Sequence, residues 1–321
     1  MMRRAHNLRL GPLSNGRSRL GRCDPSTKLP REAENKRFQD NYAIFHHAES
    51  RVTACQNSES EGITVSYSVT EDFLDKLEVA LYSLLRHNKV KNLYLFTDNG
   101  KESESVNRLA KIFGVHHVFW LNLTEALNEF LDPNYPNGSP TCSRATLGRL
   151  FLGAKTREEK ILYLDCDTVV KGDLSELWET DVTGYALAGV FDQGAIYWQG
   201  DYTKTLVYGG IPKYLNAGVL LMNLKYMREN GTLDTAISEL NQCYYQLADQ
   251  DVLNIAAIGR TKTLDNKWNS CVACGYSENP VIDHFVSHAR FREDSMCKSW
   301  ISGSKEYERW KNSRLLPSRK I

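Results

Sequence analysis

A chain of 321 residues with 41% hydrophobic and 10% aromatic content can bury one substantial core, and its length suits one large domain or two small ones, of which one large domain is expected. Its 40 basic and 39 acidic residues leave a formal charge of +1 at pH 7, which excludes a global field that would draw nucleic acid or an anionic membrane. No apolar run approaches the roughly 18 residues a membrane span needs, so the chain is expected not to cross a bilayer.

The eight cysteines, Cys23, Cys55, Cys142, Cys166, Cys243, Cys271, Cys274 and Cys297, show no disulfide-framework spacing, which points to a reducing compartment. The expected location is the cytoplasm, at most at a membrane periphery. Cys271-Val-Ala-Cys274 has the spacing of half a zinc site, but no second pair completes four ligands, and the pair is read as structural.

In chain order, residues 1–61 lack sustained hydrophobic periodicity and are expected to form a disordered or atypical extension. Their first 23 residues carry Arg3, Arg4, Arg9, Arg17, Arg19 and Arg22 without one acidic residue, a pattern shared by organelle transit peptides and by read-through upstream of a start codon. Order is expected from Ile63 to Ser68 as a strand, then a helix with Phe73, Leu77, Ala80, Leu81, Leu84 and Leu85 at helical spacing. Asn92 to Phe96 reads as a second strand. Val106, Leu109, Ala110 and Phe113 mark a second helix, and Val115 to Trp120 a third strand. A turn-rich stretch from Asp132 to Pro140 precedes a helix from about Arg144, and Ile161 to Leu164 reads as a central buried strand. Tyr214 to Leu224 is a further strand, followed by a helical pattern through Ala236, Ile237, Leu240 and Tyr244. Such alternation implies an α/β fold with a mostly parallel sheet. The expected organisation is 1–61 as extension, 62–302 as the single catalytic domain and 303–321 as a C-terminal helix and tail.

The strand Ile161–Leu164 ends in Asp165-Cys166-Asp167. Side chains two apart on a strand share a face, and ligands in open parallel sheets bind beyond the carboxyl ends of the strands. Two carboxylates there suit Mg²⁺ or Mn²⁺ with positions left for phosphate oxygens. Judged alone, the pair is equally compatible with helix capping after a strand.

The surrounding sequence resembles glycosyltransferase family 8, which includes glycogenin and bacterial lipopolysaccharide galactosyl- and glucosyltransferases. The resemblance spans roughly residues 62–300. Beyond the opening strand and helix it is carried by Arg149-Leu-Phe-Leu-Gly153, Ile161 to Asp167, Gly172-Asp-Leu-Ser-Glu-Leu-Trp178, Tyr214 to Leu224, Asp249-Gln-Asp-Val-Leu-Asn254 and His284-Phe285. It implies a GT-A fold with a Rossmann-like, mostly parallel sheet flanked by helices. It also implies a UDP-sugar donor, expected to be UDP-glucose or UDP-galactose, Mn²⁺ (or Mg²⁺), and hexosyl transfer with retention of configuration. The acceptor, whether glycan, lipid-linked glycan or protein, is not marked in the sequence.

By the same resemblance, Asp165, Asp167 and His284 are the expected metal ligands. Arg149, Asp249 and Gln250 are the expected catalytic residues, with Gln250 facing the reacting sugar. Donor contacts are expected from Thr70, Asp165, Cys166, Asp167, Asn216, Ala217 and Gly218. The Asn216 amide can meet sugar hydroxyls, and Gly218 permits close backbone approach. Thr70 reads equally as a helix cap. The chain departs from the family after His284, where Ser287 replaces a glycine and Arg290-Phe-Arg292 stands for Lys-Pro-Trp, so Arg290 or Lys298 is expected on the diphosphate. That departure keeps open a catalytically degenerate sugar-nucleotide-binding protein of the same fold. The stretch from Phe191 to Lys213, carrying Trp198, is expected over the acceptor site or as a surface loop. No P-loop, G-x-S-x-G or H-E-x-x-H occurs, which removes kinase and hydrolase readings. A sugar-nucleotide pyrophosphorylase should carry a glycine-rich loop after its first strand, and Ser66 to Phe73 has no glycine.

Overall fold

Seven strands in the order β3-β2-β1-β4-β7-β6-β8 make the central sheet of the computed structural model, which describes residues 61–133, 143–198, 213–286 and 297–315. All of these fall within one of the chain's two compact units, Ala54–Ile321. Strand β1 (Ile63–Ser68) leads through a short 3-10 turn, Glu71–Phe73, into α1 (Leu74–Leu85), whose buried Leu77, Leu81 and Leu84 recur at helical spacing. Strand β2 (Val90–Thr97), α2 (Glu104–Ile112), β3 (His117–Asn122) and α3 (Leu123–Phe130) follow. Ser103 and Asn122 cap α2 and α3, each accepting from the backbone N–H three residues on. The third strand starts at His117, past the expected Val115, because Val115 N–H closes the end of α2 on the Ala110 carbonyl and Gly114 turns with φ +73°.

Arg144–Phe151 is an eight-residue 3-10 segment leading to a single α-turn, α4 (Leu152–Lys155), where a regular helix was expected from about Arg144. Gly148 in this segment lies so close to Ser68 and Phe96 that a Cβ would meet both side chains. Strand β4 (Ile161–Leu164) is buried at every position, which its continuous apolar run demands of a central strand. It is parallel to β1 and antiparallel to β7 (Leu215–Met222). Between them in sequence come β5 (Thr168–Val170), α5 (Ser175–Trp178), β6 (Leu187–Phe191) and α6 (Gln193–Trp198). After β7 follow α7 (Leu224–Glu229), α8 (Thr232–Gln242), α9 (Ala248–Ala256), β8 (Thr261–Leu264), β9 (Ile282–His284) and α10 (Cys297–Leu315). β7 opposes both its neighbours, while β1 with β2, β2 with β3, β1 with β4 and β6 with β8 are parallel pairs. The C-terminal helix begins ahead of the expected residue 303, and its Tyr307 and Trp310 stack near Tyr82 of α1, with ring centroids 5.5 and 5.3 Å away.

The expected extension 1–61 lies outside the described residues except for its last position, as do 199–212 of the expected acceptor loop. Among the described residues, no helix is long and apolar enough to cross a membrane. Cys243, following α8, is disulfide-bonded. Cysteine spacing does not show this bond, because pairing is decided by distance in the fold.

Candidate active site

The end of β4 sets the site. Asp165 follows Leu164 directly, and its N–H donates to the Gly218 carbonyl on β7 at 2.8 Å, which holds the strand end against the middle of its antiparallel neighbour. The chain then turns into the three-residue strand β5, which pairs with β9 so that Thr168 faces His284. Phe285 N–H donates to the Asp167 carbonyl at 2.9 Å. This small ladder places a histidine more than a hundred residues away beside the two carboxylates. His284 Nε2 lies 3.3 Å from Asp167 Oδ1 and 3.7 Å from Asp165 Oδ2. The ring is 3% exposed. Burial pulls its pKa down, but Asp167, together with Cys271, more than reverses this, so the imidazole holds its proton well above the ordinary range.

Gly218 makes room for that ring. A Cβ built on it would fall 2.7 Å from both imidazole nitrogens and closer still to the carbon between them. Here the glycine serves close approach of a side chain rather than an unusual backbone angle.

Arg149 is buried behind Asp165, 1% exposed. Its Nη2 donates to Asp165 Oδ1 at 2.7 Å and its Nε lies 3.1 Å from Asp249 Oδ2. Nε also donates to the Thr146 carbonyl at 2.9 Å, Nη1 to the Ala217 carbonyl, and the guanidinium sits 4.2 Å from the Tyr163 ring centroid. Tyr163 donates to the same Asp165 Oδ1 at 3.0 Å. The two donors on Oδ1 leave Asp165 Oδ2 turned toward His284. Burial raises the Asp249 pKa to about 6, against the opposing pull of Arg149.

Asp249 and Gln250 open helix α9, which Asn254 ties to β7 by accepting from Leu215 N–H at 2.7 Å and donating to the Leu215 carbonyl at 2.8 Å. Ala248, just before them, has φ +27°, the one positive φ outside glycine among the described residues. Gln250 Oε1 accepts from Ala217 N–H at 2.9 Å, and its Nε2 donates to Asp192 Oδ2 at 3.1 Å. Asn216 Nδ2 donates to the same Asp192 oxygen at 2.9 Å.

One cavity of about 200 Å³ is lined by Thr70, Arg149, Asp165, Cys166, Asp167, Asn216, Ala217, Gly218, Asp249, Gln250 and His284, so eleven expected residues from six segments converge. Arg290 and the side chain of Lys298 lie outside the described residues. Thr70 precedes the 3-10 turn without a side-chain capping bond, so its hydroxyl is not spent as a cap. Arg149 is a buried clamp on two carboxylates. Cys271 and Cys274 are buried and free, Cys274 N–H donating to Cys271 Sγ at 3.3 Å. Neither joins a zinc set: among the described residues the group able to hold an ion is Asp165, Asp167 and His284, whose ligand atoms lie within 4.8 Å of one another. Asp192 and Asn269, which no motif in the sequence marks, are buried and bonded to Asn216 of the cavity wall. Asp192 ends an apolar strand much as Asp165 does, which was the available signal.

A mostly parallel sheet flanked by helices is the GT-A fold of glycosyltransferases. The solved galactosyltransferase LgtC, in complex with donor and acceptor sugar analogues, superposes with a TM-score of 0.60 at 21% identity over 80% of this chain and 98% of that one. The model of glycosyl transferase family 8 matches residues 64–291, and the chain belongs to that family. A putative glycosyltransferase of Haemophilus influenzae is 30% identical over 65% of this chain and 64% of its own length. The lipopolysaccharide 1,3-galactosyltransferase of Salmonella typhimurium is 27% identical over 79% of this chain and 76% of its own. The glycosyltransferase GlyB of Streptococcus pneumoniae, 28% identical over 65% of this chain, is matched over 48% of its length. The matched region thus covers less than two thirds of two of these relatives.

Proposed function

We propose that the protein is a retaining hexosyltransferase that uses a UDP-sugar, UDP-glucose or UDP-galactose, and a divalent ion, Mn²⁺ before Mg²⁺. The observation that carries this reading is the convergence of Asp165, Asp167 and His284 on one point, with Asp249 and Gln250 on the same cavity. The donor set fits the ion: two carboxylates and an imidazole favour Mn²⁺ over Mg²⁺, and Asp165 keeps one oxygen turned toward His284. When bound, the ion supplies Lewis-acid stabilisation of charge on a departing diphosphate. The binding of donor and acceptor sugar analogues by LgtC supports a sugar-nucleotide donor here.

The chain's own residues then have distinct tasks. Arg149 fixes Asp165 and Asp249 in place and is itself too enclosed by them to leave for the diphosphate, so its contribution is to orient them. Gln250, held on both ends of its amide by Ala217 and Asp192, presents a fixed dipole to the sugar, and Asp249 accepts from a sugar hydroxyl. Gly218 leaves room for the His284 ring, Ala217 holds Arg149 and Gln250 through its backbone, and Thr70 and Cys166 line the nucleotide side. Arg290 and Lys298 are assigned to the diphosphate, and the stretch around Trp198 to the acceptor.

Calorimetric titration tests the pairing of ion and nucleotide. UDP is expected to bind with Mn²⁺ and not with chelator. In the metal-free protein His284 holds a proton above its ordinary range, and the ion must displace it. The apparent Mn²⁺ affinity is therefore expected to fall as pH is lowered, with proton release seen as buffer-dependent heat. Tight UDP binding in chelator, or Mn²⁺ binding that does not weaken toward acid, would contradict the assignment.

A further inference from the structure

We infer that Asn269, backed by Asn216, is the positioning residue that holds His284 in its Nδ1–H tautomer, so that the Nε2 lone pair faces the gap between Asp165 and Asp167. This rests on the metal-site reading above and adds to it residues outside the ligand set.

Asn269 is fully buried and lies between the metal site and the sugar site. Backbone bonds fix it there: Ser270 N–H donates to the Ile282 carbonyl at 2.9 Å, and His284 N–H to the Ser270 carbonyl at 3.0 Å, locking the 269–271 stretch to β9. The side chains then form a chain whose polarity can be read from one end. Asp192, as a carboxylate, only accepts, so the Asn216 atom 2.9 Å from its Oδ2 is the amide nitrogen. The Asn216 oxygen must then point the other way, where Gly218 N–H, which only donates, meets it at 3.0 Å. Two independent fixed groups thus agree on the orientation of Asn216.

That oxygen lies 2.9 Å from Asn269, which must present its Nδ2. Its Oδ1 is therefore the atom 2.8 Å from His284 Nδ1, and an oxygen there requires a hydrogen on Nδ1. Nε2 is left as the lone-pair nitrogen when the imidazole is neutral, and Nε2 is the atom facing Asp165 and Asp167. Metal-bound histidines ordinarily have the other ring nitrogen so anchored, which fixes ring orientation and raises basicity. Because Gln250 donates to the same Asp192 oxygen, the orientation of the sugar-site amide and that of the metal-site imidazole share one origin. Cys271 also reaches His284 but is not tied into this amide chain, and the Cys271→Ala arm below separates its contribution from that of Asn269.

The test is Mn²⁺ and Mg²⁺ affinity of the full chain, read from the free-Mn²⁺ resonance and by calorimetric competition, with thermal midpoints in parallel. Asn269→Leu is expected to weaken Mn²⁺ about 10–100-fold, and Mg²⁺, which gains less from an imidazole ligand, by a smaller factor. Asn269→Asp keeps an acceptor for Nδ1–H but sets an oxygen against the Asn216 oxygen. It is expected to lower the thermal midpoint while keeping Mn²⁺ near the wild-type affinity. Cys271→Ala should leave Mn²⁺ affinity unchanged. Should Asn269→Leu fail to fold, Asn269→Ala carries the same comparison.

A merely structural role for Asn269 predicts that Mn²⁺ affinity follows the thermal midpoint in every variant, with no change in the Mn²⁺ to Mg²⁺ ratio, and that result overturns the inference. So does loss of Mn²⁺ with Cys271→Ala but not with the Asn269 variants. If the wild-type chain takes up no Mn²⁺, the metal-site reading itself fails and this one with it. If the wild type binds and Asn269→Leu binds equally well, only the present inference falls.

Discussion

Arg149→Met is expected to lower the unfolding free energy by about 3–5 kcal/mol, the usual cost of removing one partner from a buried ion pair, and to abolish transfer. The guanidinium stands between Asp165 and Asp249, donates to two backbone carbonyls and is stacked on Tyr163. Methionine fills much of the volume but leaves Asp249 buried without its cation and frees Asp165 from the contact that orients it. Since burial already lifts the Asp249 pKa to about 6 with Arg149 present, removal of the cation is expected to lift it further and leave that carboxyl protonated at neutral pH. Asp249→Asn combined with Arg149→Met should therefore cost less than the sum of the two single changes. Urea unfolding of the four proteins measures this. A single-variant loss under about 1 kcal/mol, the range of exposed pairs, would show that Arg149 is not the clamp described.

Gly218→Ala is expected to keep the fold and weaken the binding of Mn²⁺. The added methyl on β7 points into the His284 ring, with both nitrogens 2.7 Å away, and β7 cannot retreat because β4 and β6 pair with it on either side. The imidazole must yield. Overpacking of this kind costs about 1–3 kcal/mol, which a core of this size tolerates, whereas displacing one of three protein ligands should weaken Mn²⁺ by at least about tenfold, in line with the loss on disturbing a ligand's support. Gly189→Ala on β6 is the control: its Cβ would meet the flexible end of Leu220, 2.9 Å away, far from the ligands. Wild-type Mn²⁺ affinity in Gly218→Ala would refute the placement of His284 over β7.

The contrast between these glycines indicates what was legible in the sequence. Ile161–Leu164 could be read as a central strand because its burial on both faces is written in an unbroken apolar run, and Asp165 and Asp167 then fall at the sheet's carboxyl edge without further information. β1, β2 and β7 were similarly plain. β5 and β9 were not: each has three residues, and they exist only because Thr168 and His284 pair across the chain. His284 was reached through family resemblance, since nothing local distinguishes a ligand from a packed histidine. Arg144–Phe151 carried the apolar spacing of a helix, but Gly148 packs close to Ser68 and Phe96, and that contact is tertiary. The burial of Arg149 and the amide chain through Asn216 and Asn269 were invisible for the same reason. Hydrogen-bond polarity belongs to contacts between β6, β7, β9 and the loop before β9, not to any window of residues.

Proton NMR of UDP-glucose and UDP-galactose incubated with the protein and Mn²⁺, alongside chelator and Asp167→Asn, tests the central claim most directly, because slow hydrolysis of the donor needs no acceptor. The account predicts release of UDP from one of the two sugars, with the α-anomer appearing first, and no release in chelator or in the variant. Release that persists in Asp167→Asn, a β-anomer as the first product, or no turnover of either donor with any divalent ion would contradict it.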